Sequence, residues 1–391
     1  MSRIYTLLAI LVSVVSFTII FLSLKDVEFY PQADEGYYLG YASYMANKGI
    51  GGFPDLLKEY MENEKHWIFP PPTRAGFVLI SSVWFKVFGP SFLSLAQLSL
   101  FSFFLFLLVS FYFAKKHFGE EIAFLLILLL AFSPLNMGMA RRALTDSTAN
   151  LFLSLSIWLF LDLLKKGNLK THIVFIISYS LAILTRESSI FLTPILLFCL
   201  VYQRFVFKEK VKLIHFFSAA IFPVIIVIAV LALLSFGQFY EALKTFVRST
   251  LHSSNKYLIL FCSGPWFRYL IDWLILSPLN LIFSIGFVFY YFCSKNMNKC
   301  IGYFIVIFIG FLFIYGIWPY KIVRFTIMLE TCIRLFSIFM LRELFRKKVF
   351  MYGIIISIVL FDCCNFKYLF VEKGIYDPVS TWLLKAKCII P

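Results

Sequence analysis

The chain has 391 residues, of which 61% are hydrophobic and 20% aromatic, and it carries a formal net charge of +15. Soluble domains are about 45–50% apolar, so this composition excludes an ordinary soluble protein. The charge is no footprint of nucleic-acid binding either, because no basic domain stands apart from the apolar runs. Those runs exceed the length of barrel strands, and several approach the ~20 residues that a helix needs to cross a bilayer. An all-α polytopic membrane protein is expected, since helices satisfy their own backbone hydrogen bonds in lipid. The excess Lys and Arg then line cytoplasmic loops or snorkel at the interface.

The first apolar run, Ile4–Leu24, is too long for a signal-peptide core and lacks a small-residue cleavage site, so it reads as a retained helix. Eleven spans are expected, at 4–24, 92–114, 121–138, 147–164, 172–185, 188–203, 213–236, 275–293, 301–318, 325–341 and 349–362. With the N-terminus inside, the connections "KKHFGEE", "KKGNLK", "RFVFKEKVK", "SKNMNK" and "RELFRKKV" are cytoplasmic, short and basic. Two long segments, 25–91 and 237–274, then lie outside with a tail after about 363. Residues 1–345 are expected to form one transmembrane domain, with a last helix and short tail over 346–391.

The first outer segment opens on "ADEGYYLGYASYMANKGI", where Asp34 and Glu35 begin a helix that stops at Gly49. "DLLKEYMENEKHW" reads as a short amphipathic helix. "FPPPTRAGFVLISSVWFKVFG" carries an apolar face too short to span and is expected to lie along the interface. Three short outer turns, "MARRALTD", "TRES" and "WPYKIVRF", place arginine against the positive-inside rule. A cation at a membrane edge is costly unless paired, hydrated or bound to an anion. Headgroup contact explains any one of them; all three beside Asp34 and Glu35 favour a shared anionic ligand.

Eight cysteines show neither CxxC nor metal-ligand spacing. Cys199, Cys293 and Cys332 fall in or beside apolar runs, as small core residues do. Cys363, Cys364 and Cys388 cluster without evidence of a disulfide. His66 and His252 sit in the outer loops, and no metal triad is visible among the five histidines. Glu330 and Arg334, four apart, suggest an internal ion pair. Trp67, Trp84, Trp266, Trp273 and Trp318 are expected in the outer aromatic belt, with Trp67 or Trp266 able to stack on a sugar.

An early outer "DE" followed by "YY", a Pro-Pro helix ending in "FG", a basic turn whose Asp opens the fourth span, and an arginine before an aromatic together resemble a known family. They resemble polyprenyl-phosphate-dependent glycosyltransferases of the GT-C fold. Protein O-mannosyltransferases and lipid A aminoarabinose transferases are the nearest groups. The resemblance runs from Met1 to about Arg342. It departs at Phe69, where relatives often carry His before the prolines, at Arg324–Phe325, where they carry Arg-Tyr, and in the short tail. It implies a GT-C architecture, a polyprenyl-phosphate sugar donor, a lipid, glycan or protein acceptor, and, as in many relatives, no metal cofactor. A bacterial or archaeal cell membrane, with the site on its outer face, is the expected location.

The residues support that chemistry on their own terms. Transfer needs a base for the acceptor hydroxyl and cations for the leaving phosphate. Asp34 and Glu35 are the candidate catalytic carboxylates. Asp34 is the expected base, against a plain helix-capping role. Glu35 is expected to bind an acceptor group or orient a basic residue, against simple first-turn charge placement. A retaining mechanism needs two carboxylates about 5 Å apart. Helical neighbours diverge by about 100°, so inversion is expected. Arg142, Arg186, Lys321 and Arg324 are the candidate phosphate ligands, with Arg141 and Arg142 indistinguishable by sequence, because guanidinium forks match phosphate oxygens. Asp146 positions a cation, touches the sugar or caps its helix. Arg74 and Lys86 flank the interfacial helix; Arg74 is a candidate guide for the lipid phosphate and Lys86 reads as snorkelling. A transporter or flippase is the main alternative, but inverted repeats with matching broken helices are not seen. A silent scaffold, tolerant of losing Asp34 and Arg324, is the other.

Overall fold

The computed structural model describes residues 2–251, 262–294 and 298–386. His252 and Cys388 lie outside the described residues. Ten helices come first: α1 (Ser2–Ser23), α2 (Asp34–Lys48), α3 (Phe53–Glu62), α4 (Ala75–Phe88), α5 (Phe92–Phe118), α6 (Glu120–Ala131), α7 (Pro134–Ala140), α8 (Asp146–Lys166), α9 (Leu169–Thr185) and α10 (Leu192–Phe205). An apolar span, Leu213–Ser235, precedes the helices Phe239–Leu251, Arg268–Leu276, Pro278–Cys293, Lys299–Ile317, Glu330–Leu344, Lys348–Asn365 and Pro378–Ala386. No strand occurs among the described residues, so the expected all-α membrane fold holds.

The expected count of eleven spans is not confirmed. Seven helices among the described residues are long and apolar enough to cross a bilayer, or eight if the bent pair α6 and α7 forms one. Helix α9 and the helix Pro278–Cys293 fall short in length. The stretch 325–341 divides into a 3-10 turn, Val323–Leu329, and a 15-residue helix that begins at Glu330. Apolar composition announces burial, but it does not say whether lipid or protein covers the helix.

The chain divides into two compact units built from interleaved segments. Residues 28–102 and 141–255 form one, called here the Asp34 unit; residues 1–27, 103–140 and 256–391 form the other, the Arg334 unit. Within the Asp34 unit, α2 packs on α4, α4 on α9, and α8 along α9. Tyr38, Ala42, Phe77, Phe85, Leu95, Leu98, Ala143 and Leu144 make its buried core. Gly76 is where α4 meets the end of α9: a Cβ there would stand 3.0 Å from Leu184 and from the Thr185 nitrogen. A larger residue would push α4 off the turn that follows α9.

Within the Arg334 unit, α1 packs on α6, and the helix Glu330–Leu344 packs on α6 and on Pro278–Cys293. Buried charge holds these elements. Arg334 donates to Glu330 at 2.9 Å, forming the i,i+4 pair expected from sequence, and to Asp362 at 2.5 Å. Ser133 donates to Glu330 at 2.7 Å, and Ser277 donates to Asp362 at 2.7 Å. Ser133 lies in the 60° break between α6 and α7, and Ser277 stands between two helices. Breaks in a helix leave backbone groups without partners, and polar side chains gather where those groups must be satisfied. Cys199 and Cys332 are buried as expected, whereas Cys293 is exposed at its helix end. Trp273 is fully buried in its own unit and is no part of an aromatic belt.

Candidate active site

The chain enters α2 through a tight approach. Gly36 has no Cβ; one placed there would sit 1.8 Å from the Pro31 carbonyl oxygen. That closeness folds the preceding segment back, so the Tyr30 N–H reaches Glu35 Oε2 at 3.0 Å. The same oxygen accepts from Arg142 Nη2 at 2.6 Å, and Oε1 accepts from the Ala143 N–H at 3.1 Å. Arg142 also donates to the Glu28 carbonyl at 3.1 Å and lies 5.0 Å over the Tyr30 ring. Glu35 is buried, with both oxygens engaged. Glu35 thus ties Arg142, Tyr30 and Ala143 to the start of α2.

Asp34 is different. The N-cap of α2 is Ala33, in extended backbone, and no side-chain cap is made. Asp34 is the first helical residue and is half-buried. Capping, the plain alternative for this aspartate, is thus not its job. Its position still benefits from the helix N-terminus, which stabilises a carboxylate. Tyr38, one turn on, is buried, and its hydroxyl accepts from Arg74.

The turn after α9 makes two further links. Arg186 has extended backbone, so adjacent side chains point opposite ways. Arg186 donates to Asp146 Oδ1 at 2.6 Å, and Asp146 is the first residue of α8. Its neighbour Glu187 takes a two-pronged contact from Arg74, at 2.7 and 2.9 Å. Arg74 directly precedes α4 and occupies its N-cap position. One dipeptide thus clasps the starts of α8 and α4, and Arg74 carries the link on to Tyr38 of α2. Asp146 meets Arg186, and Thr145, not Asp146, occupies the cap position of α8. Arg74 is a strut between α2, α4 and this turn, so its guanidinium is committed to Glu187 and Tyr38 first. Between the two arginines that sequence left undecided, Arg142 is the one that meets Glu35; Arg141 is buried beside it. Lys86 is exposed, as snorkelling requires.

An aromatic group lies on α2, α3 and the stretch after it. Tyr37 stacks on Phe69 at 4.4 Å and meets the His66 ring edge-on at 5.6 Å. Tyr41 and Tyr60 donate to the Pro70 and Phe69 carbonyls. Burial raises the Tyr41 and Tyr60 phenol pKa values, Tyr60 with Arg74 opposing. Trp67 donates to the Tyr60 carbonyl at 3.0 Å, and Arg248 covers its ring at 3.3 Å. One face of Trp67 is therefore covered by a guanidinium.

Lys321 and Arg324 belong to the Arg334 unit. The Lys321 N–H donates to the Cys262 carbonyl at 2.6 Å, and its ammonium donates to the Trp318 carbonyl. Burial, with help from Arg268, lowers the Lys321 pKa. Arg324 is half-buried, its guanidinium 6.0 Å from the Phe325 ring centre. Sequence reasoning missed Glu187, Tyr38, Arg268, Asp272 and Asp377. Glu187 had a signal, an acid next to an arginine in a four-residue turn between apolar runs; the others had none.

A family model described as dolichyl-phosphate-mannose-protein mannosyltransferase matches residues 75–236, which hold α4, α8, α9 and the Arg186–Glu187 turn. The structure is similar to the crystal structure of ArnT from Cupriavidus metallidurans bound to undecaprenyl phosphate, with a TM-score of 0.65 and 15% identity over 100% of this chain and 71% of that one. It is also similar to the apo form of ArnT, with a TM-score of 0.62, 16% identity and 88% of this chain covered. The match takes in 61% of that apo chain, so this sequence spans about three fifths of it. The archaeal oligosaccharyltransferase AglB from Archaeoglobus fulgidus, in complex with an inhibitory peptide and a dolichol-phosphate, matches at a TM-score of 0.57 and 13% identity over 93% of this chain and 56% of that one. No curated protein matches. The fold is that of these membrane glycosyltransferases, and the GT-C resemblance read from the motifs is borne out.

Proposed function

We propose that the chain is an integral-membrane glycosyltransferase that moves a sugar from a polyprenyl-phosphate donor to a hydroxyl acceptor, with inversion, on the extracytoplasmic face. Asp34 takes the acceptor proton, the acceptor oxygen attacks the anomeric carbon, and the bond to the phosphate oxygen breaks. Arg324, Lys321 and Arg186 are the candidate cations for the charge that develops on the leaving phosphate. Glu35 and Asp146 act through their arginines, holding Arg142 and Arg186 in fixed orientation. Short basic loops on the face opposite Asp34 in the sequence-based topology support the outer location.

One observation carries the reading. The family match covers the part of the chain that holds Arg142, Asp146, Arg186 and Glu187, each engaged in an ion pair. Beside them stands Asp34, a helix-start carboxylate without a capping role. The test is donor turnover by the full chain in lipid nanodiscs. Labelled polyprenyl-phosphate sugars are supplied with a membrane-lipid extract, and free polyprenyl phosphate is followed. Donor consumption by the wild type, falling ~10²–10⁴-fold in Asp34→Asn, is the expected result. Consumption unchanged in the variant would remove Asp34 as base. Transport of an intact donor without its cleavage would replace the enzyme with a flippase.

A further inference from the structure

Asp377 lies directly before the helix Pro378–Ala386. Its Oδ1 accepts the Ser380 N–H at 2.8 Å, and its carbonyl accepts the Thr381 N–H at 3.0 Å, so it caps that helix. Its Oδ2 accepts the Val323 N–H at 3.0 Å, the first N–H of the turn Val323–Leu329. One carboxylate thus serves two helix starts, each of which leaves N–H groups without partners. Arg268 holds this carboxylate in place. It is buried, and Nη2 donates to Asp377 Oδ1 at 3.1 Å and to Ser380 Oγ at 2.6 Å. Nη1 donates to the Ser263 carbonyl at 3.0 Å. The segment 321–323 is therefore held at two points, by the Cys262 carbonyl on the Lys321 N–H and by Asp377 on the Val323 N–H.

We infer that Asp377 is a positioning residue for phosphate binding: its contact with the Val323 N–H fixes the backbone from which the Arg324 side chain springs. This rests on the phosphate role proposed for Arg324. Residue 324 follows the anchored amide directly. Without the anchor, the backbone of 322–324 regains freedom that a bound phosphate must then remove. Ordering costs of that kind lower affinity without removing any contact to the ligand. Lys321 has its own anchor in the Cys262 carbonyl, so Asp377 acts on the phosphate through Arg324 and its effect should vanish when Arg324 is absent.

The experiment measures the Kd of radiolabelled undecaprenyl phosphate for the full chain in nanodiscs, together with the KM and kcat for sugar donor. Arg324→Ala and Asp377→Asn should each weaken binding ~10-fold, a loss equivalent to ~1.4 kcal/mol, with KM rising more than kcat falls. The double variant should bind no worse than Arg324→Ala alone. Asp377→Ser provides a second route, because serine still caps Pro378–Ala386 but is too short to reach Val323; it should weaken binding equally, at a melting temperature no lower than that of Asp377→Asn. Losses that add in the double variant, or no loss in either Asp377 variant beside a clear loss in Arg324→Ala, would overturn the positioning role alone. Unchanged binding in Arg324→Ala would overturn the phosphate assignment and this inference together.

Discussion

The two units handle buried charge differently. In the Asp34 unit, Glu35 with Arg142, Asp146 with Arg186, and Glu187 with Arg74 each bring one carboxylate against one guanidinium at 2.6–2.7 Å. The partners are far apart in sequence, and one member of each pair, Glu35, Asp146 or Arg74, sits at a helix start. In the Arg334 unit, one guanidinium serves two carboxylates twice: Arg334 with Glu330 and Asp362, and Arg268 with Asp272 and Asp377. A one-to-one pair is neutral and holds two elements at a fixed distance. A cation shared by two acids leaves one carboxylate in need of hydrogen bonds or a proton. The first arrangement suits a rigid frame around chemistry, and the second should be sensitive to pH and tolerant of losing an acid.

Breaking the one-to-one pairs should have the largest effect. Arg186→Ala takes from buried Asp146 its partner at 2.6 Å, and Glu35→Gln takes the carboxylate partner at 2.6 Å from Arg142. Each should destabilise by about 3–5 kcal/mol, as removal of one partner of a buried ion pair does. The check is thermal unfolding in detergent. A shift under about 1 kcal/mol would mean that these pairs behave as surface ones. Gly76→Ala should follow, at about 1–3 kcal/mol, because overpacking separates α4 from the end of α9. It should also lower activity by loosening the Arg74–Glu187 contact, and truncating Leu184 to alanine should not rescue it, because the crowded atoms are the backbone and Cβ of 184–185.

Hydrophobic patterning made the fold class legible, and for a physical reason: apolar runs of this length have few homes other than a membrane. It also located α2, whose stop at Gly49 is a left-handed position with φ of 70°. The span count is not legible in this way, because protein burial and lipid burial select the same residues. At the site, Asp34, Glu35, Arg142, Asp146 and Arg186 were visible because charge in a sparse apolar sequence is conspicuous. What remained hidden was pairing. Glu187 is 113 residues from Arg74, and Asp377 is 109 from Arg268, so nothing local reports either contact. Trp273 and Trp67 show the same limit, one buried in a core and the other covered by Arg248.

The smallest effect should come from Asp272, and it should depend on pH. Asp272 is buried, and its nearest cation is Arg268, whose Nε is 4.0 Å away, too far for a hydrogen bond. Burial, then Asp377, with Arg268 opposing, pushes its carboxyl up to about 8. The unfolded chain would titrate this group near ~3.9. Between those values the folded protein holds a proton that the unfolded chain has released. The contribution is therefore fully present below about 4 and is lost as pH rises through about 8. Asp272→Asn keeps the shape and removes the titration. Its melting temperature should equal or slightly trail that of wild type at pH 5 and exceed it at pH 9. Parallel pH profiles for the two proteins would mean that Arg268 satisfies both acids, and the contrast between shared and one-to-one pairs would then fail at this cluster.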